Sequence, residues 1–108
     1  MFSTQLSMTD SDENWEPATL TLKRSNFLVK LYKTEAVMLA EKFSKDLSIM
    51  IPGGLSSQFV LTCADGSSHP FSTNNDIRMR DTLVLTMRIF LSKALDEKRR
   101  ANIKADKQ

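Results

Sequence analysis

The chain has 108 residues, a formal net charge of +2 and a single cysteine, Cys63. That length suits one domain with a core large enough to fold without disulfides or metals, and an apolar share of 41% argues against wholesale disorder. No apolar run approaches the roughly 18 residues of a membrane span, residues 1–16 have neither the cations nor the apolar block of a signal peptide, and a lone thiol suits a reducing compartment, so the expectation is a cytoplasmic protein.

Residues 1–17 hold Asp10, Asp12, Glu13 and Glu16 and no cation, a charge of −4, so residues 18–108 carry +6. The segment is rich in Ser, Thr, Asp and Asn, and it reads as an acidic, mobile tail that folding can do without, Trp15 being its one candidate anchor. From Ala18 the pattern changes. Leu20 and Leu22 alternate with Thr19, Thr21 and Lys23, the period of a half-buried strand. Arg24, Ser25 and Asn26 read as a turn, and Phe27, Val29 and Leu31 alternate as a second strand. A rival reading runs one helix over 26–48.

Residues 34–47 read as a helix, because Ala36, Leu39, Ala40, Phe43 and Leu47 share one helical face and Glu41 precedes Lys45 by four. Ile49, Met50 and Ile51 form a short apolar run that ends in Pro52, Gly53 and Gly54, where the chain turns. Phe59 and Leu61 mark a strand over 58–63, followed by Asp65 and Gly66, a favoured hairpin pair. The return arm, 68–72, contains Pro70, which cannot donate to a ladder, so that arm is expected at an edge or irregular.

The last thirty-odd residues have no proline or glycine. Asn75 and Asp76 suit a helix start, and Lys98, Arg99, Arg100, Lys104 and Lys107 suit its negative end. On a helical wheel Leu83, Val84, Met87, Phe90, Leu91, Ala94 and Leu95 form one broad face, and Leu85 and Ile89 fall opposite it. A strand over 82–91 followed by a short helix is the alternative, since Leu83, Leu85, Met87, Ile89 and Leu91 also alternate. The expected class is α+β: order β-β-α-β-(β)-α, a long C-terminal helix on a small antiparallel sheet, with one domain over 18–108 whose basic end frays after about residue 102.

No motif demands catalysis. Cys63 and His69 are the only nucleophile and base worth testing: a two-residue turn at Asp65 and Gly66 would pair Cys63 with Ser68, and a three-residue turn ending at Ser67 would pair it with His69. One His, one Cys and no spaced carboxylate pairs leave no metal site, and Gly53-Gly54 lacks the Lys-Ser/Thr of a phosphate loop. The expectation is a non-enzymatic regulator or adaptor with no cofactor, metal or membrane contact. Its partner would be another protein or a second copy of itself, met through Leu85, Arg88, Ile89 and Ser92. The alternative is weak nucleic-acid binding through Lys93, Arg100, Lys104 and Lys107, with Lys23 and Arg24 or Arg78 and Arg80 as lesser candidates; Asp96 and Glu97 blunt that field.

Overall fold

The computed structural model describes residues 2–9, 15–52 and 57–106, with side chains as far as Ala101. Among the described residues seven strands are followed by one helix: β1 (Phe2–Thr9), β2 (Trp15–Leu22), β3 (Asn26–Leu31), β4 (Val37–Lys42), β5 (Ser48–Met50), β6 (Gln58–Thr62), β7 (Ser68–Ser72) and α1 (Ile77–Asp106). They form a single sheet in the order β4-β3-β2-β1-β7-β6-β5, and every pairing is antiparallel.

Buried alternate positions hold β2, β3 and β6, and Phe71 anchors β7. Ala18, Leu20 and Leu22 of β2, Phe27 and Val29 of β3, Phe59 and Leu61 of β6 and Phe71 of β7 are all fully buried. Among the described residues, β1 and β7 pair at Ser7 with Ser72 and Met8 with Phe71, and this short contact divides the sheet into a four-stranded and a three-stranded part. Both parts contribute to one core, which α1 completes with Leu83, Val84 and Met87. Phe43, just beyond β4, bridges Phe27 and the helix residue Phe90 at ring-centroid distances of 5.4 and 6.2 Å.

The α+β class and the long C-terminal helix agree with the sequence, and so do strands at 18–22, 27–31, 58–62 and 68–72. Three expectations are corrected. The 68–72 arm is neither at an edge nor irregular: β7 lies between β1 and β6 and pairs with β6 along its length, and Pro70 is accommodated because the pairing with β1 covers Ser72 and Phe71 and leaves Pro70 outside that ladder. Residues 2–9 are no tail: they pair with β2 along eight positions, lie inside the sheet between β2 and β7, and bury Leu6 and Met8. Residues 34–47 form no helix. Their central part is edge strand β4, and backbone pairing with β3 overrides the helix-favouring composition. Leu39, Phe43 and Leu47 still face the core, as expected, but Ala36 and Ala40 are exposed. The helical reading of 82–91 stands over the alternating one, and the turn expected at Gly53-Gly54 lies outside the described residues.

The entry to α1 is built from polar side chains. The Asp76 carboxylate accepts the Met79 amide at 2.9 Å, the N-cap bond that the sequence anticipates. Asn74 and Asn75 adopt positive φ of 55° and 70°, a region that asparagine tolerates. The Ser57 hydroxyl accepts the Asn75 amide at 2.8 Å, which ties this turn to the start of β6.

Candidate functional site

The helix buries one face and leaves the other bare. Met87 is fully buried, whereas Leu85 is 59% and Ile89 45% exposed, so among the described residues nothing buries the two apolar side chains. Their position follows from helical geometry: four residues advance about one turn, so Leu85 and Ile89 stand one above the other, and the intervening Met87 points into the core. Ser92 and Arg88 lie on the same exposed side. The Arg88 guanidinium donates to the Ile49 carbonyl at 3.3 Å, which fixes edge strand β5 alongside this turn of the helix, with Met50 and Ile51 exposed next to it. Ser92, Leu95, Asp96 and Arg99 line a shallow depression of about 250 Å³ further along.

Among the cations of the alternative reading, Arg24, Arg80 and Arg100 are engaged. Arg100 pairs with Asp96 at 3.2 Å, and Arg99 reaches the same carboxylate at 3.3 Å. Arg24 forms a two-pronged pair with Glu97, Nη2 to Oε1 at 2.8 Å and Nε to the carboxylate at 3.0 and 3.1 Å, joining the β2–β3 turn to α1. This pair holds the Glu97 carboxyl below its ordinary range. Arg80 is buried, bonded to Asp81 at 2.9 Å and to the Gln58 carbonyl at 3.3 Å, so it is no surface anion contact. Lys93 is exposed; the side chains of Lys104 and Lys107 lie outside the described residues.

The thiol and the imidazole belong to a turn, not to a reaction centre. The β6–β7 ladder pairs Thr62 with Ser68 and Leu61 with His69, and Cys63 bonds across to Ser67, so neither register that the sequence suggested is formed: the pairing lies one residue beyond that of the two-residue turn. Ser67 donates its hydroxyl proton to Asp65 at 2.6 Å and lies 3.0 Å from His69 Nε2. With that proton committed to the carboxylate, the imidazole is left to donate, the reverse of a base activating a nucleophile. Burial pushes the Cys63 thiol up from its ordinary pKa, and Glu41 adds to the effect; both disfavour the thiolate. Among the described residues no group of three or more His, Cys, Asp or Glu could hold a metal ion.

A second exposed apolar cluster has no counterpart in the sequence reading. Trp15, Tyr32, Val37 and Met38 are exposed where β2 begins, β3 ends and β4 starts, and Trp15, Glu16, Pro17, Leu31, Lys33 and Thr34 line a cavity of about 240 Å³ there. Only the pairing of Ala18 with Leu31 and Lys30 with Val37 brings these separated residues together. No helix among the described residues is long and apolar enough to cross a membrane.

One solved chain, in the crystal structure of human RhoA in complex with the DH/PH fragment of PDZRHOGEF, shares this fold, with a TM-score of 0.74 and 10% sequence identity. The match covers 87% of the present chain but 29% of that one, so the likeness is one of fold over part of a larger protein. No curated protein matches the sequence. A family model described as "Domain of unknown function (DUF7046)" matches residues 2–104, and the chain belongs to that family.

Proposed function

We propose that this member of the DUF7046 family is an intracellular, non-enzymatic interaction domain that binds another protein through the outward face of α1. The observation that carries the reading is the exposure of Leu85 and Ile89 one turn apart on a helix whose opposite face is fully packed. Two stacked aliphatic side chains flanked by Arg88 and Ser92 have the form of a short ridge, which a partner helix covers by seating its own side chains on either side. A fixed ridge loses little conformational entropy on binding, because the helix that carries it is already immobilised by Leu83, Val84 and Met87. The nucleic-acid alternative draws no such support, since Arg24 and Arg100 spend their charge on Glu97 and Asp96.

Site-specific photo-crosslinking in intact cells tests the reading. A photoreactive residue at Ser92 is expected to trap protein adducts that vanish when Leu85→Glu and Ile89→Glu are introduced together. The same probe at Lys30, exposed on the β-sheet, is the control. Equal adducts from both positions, or none from Ser92, would overturn the assignment of this face.

A further inference from the structure

The charges on the outward face of α1 have an arrangement that the apolar ridge does not require. Arg78 and Asp96 are separated by 18 residues, about five helical turns, so they share one azimuth, and that azimuth runs between those of Leu85 and Ile89. Both charged residues are also equally far from position 87, the midpoint of Leu85 and Ile89. A cation therefore stands at one end of the ridge and, at the other, an anion that Arg99 and Arg100 of the same chain also contact, about 27 Å apart along the axis. Arg78 is exposed and Asp96 half-buried, and the whole span lies in the described part of α1.

This pattern is self-complementary in one orientation. If a second helix lies antiparallel with its two-fold axis at the level of position 87, residue numbers that face each other sum to 174. Leu85 then meets Ile89 of the other copy, and the same register sets Arg78 opposite Asp96, twice by symmetry. A parallel pairing sets Arg78 on Arg78 and Asp96 on Asp96, like on like. Shifting the antiparallel register by two turns separates both the apolar and the charged matches.

Resting on the reading of this face as a protein-contact surface, we infer that its partner is a second copy of the chain, docked through α1 as an antiparallel, two-fold pair centred at the level of Met87. Apolar contact at the centre supplies the attraction, and the terminal charges fix direction and register.

Sedimentation of the full chain from micromolar to near-millimolar concentration tests this, with circular dichroism confirming that each variant is folded. A monomer–dimer equilibrium is expected, lost in the Leu85→Glu/Ile89→Glu chain. Arg78→Asp and Asp96→Arg should each weaken the dimer about tenfold, since each turns two attractive pairs into repulsive ones. Combining Arg78→Asp with Asp96→Arg in one chain should restore affinity close to the original, whereas a parallel pair, with like on like throughout, would show no loss in the single variants to restore. Should a reversal to Asp or Arg disturb the helix, Arg78→Glu with Asp96→Lys repeats the exchange. A monomer at every concentration overturns the second-copy inference while leaving the contact face to the crosslinking result. A dimer that needs Leu85 and Ile89 but ignores the charge reversals overturns the antiparallel register alone.

Discussion

Cys63 shows how burial decides the chemistry of a single side chain. It is 3% exposed, and its thiol is pushed up chiefly by desolvation. A thiol reagent should therefore label the native protein slowly, at a rate set by opening of the fold, and Cys63→Ala should cost about 1 kcal/mol through lost packing. The pH dependence has a definite sign. The folded pKa lies above the unfolded value of about 8.5, so the contribution is intact below that pH and is lost as pH rises through the folded pKa. Denaturant titrations between pH 8 and 10 should show the parent chain losing stability more steeply than Cys63→Ala. A second residue-scale prediction concerns Glu35, which adopts φ of 57° in the β3–β4 turn. Left-handed backbone is unfavourable for a residue with a long side chain and easier for asparagine, so Glu35→Asn should raise stability by up to about 1 kcal/mol, read as a higher thermal midpoint.

At the scale of the element, α1 makes opposite predictions for residues two positions apart. Met87 fills the core, so Met87→Ala should cost about 2–5 kcal/mol. Leu85 and Ile89 face outward, so the double replacement by Glu should change the stability of the monomer by less than about 0.5 kcal/mol. Chemical denaturation monitored by circular dichroism separates the two cases. Asp76→Ala should cost about 1 kcal/mol by freeing the Met79 amide. The edge strand β4 carries the contrary lesson. Its residues, Val37 to Lys42, include alanine, methionine, leucine, glutamate and lysine, all at home in a helix, and only the ladder to β3 holds them extended.

At the scale of the molecule, β1 connects the two parts of the sheet, through a long ladder to β2 and a short corner with β7. Deleting residues 1–9 should therefore abolish the cooperative thermal transition instead of trimming a few degrees. It removes Leu6 and Met8 from the core and leaves the facing edges of β2 and β7 without partners. A chain that still melted cooperatively after that deletion would mean the remaining six strands and α1 can close a core alone. The pair between Arg24 and Glu97 ties the far end of the helix to the β2–β3 turn, but both groups are solvated, so its role is to orient and not to stabilise.

Periodicity alone determined a good part of this protein. The broad apolar face of α1, its start at Asp76, the outward pair Leu85 and Ile89, and four of the strands follow from local spacing, because each element buries one side whatever it packs against. The alternation of Phe2, Leu6 and Met8 with Ser3, Gln5 and Ser7 was equally local, yet the serines, threonines and acidic neighbours pointed to a solvated tail. Polar residues between apolar ones are what a strand with one wet face requires, so composition misleads there and period does not. Other features belong to the tertiary structure only. Pairing with β3 made residues 37–42 a strand against their own preference, and the register of β6 with β7 placed His69 opposite Leu61 and Ser67 opposite Cys63. The fold also gathered Trp15, Tyr32, Val37 and Met38 at one end of the sheet. These are contacts between residues far apart in sequence or across a turn whose length was undetermined, and no local spacing encodes them; packing of the whole chain selects them.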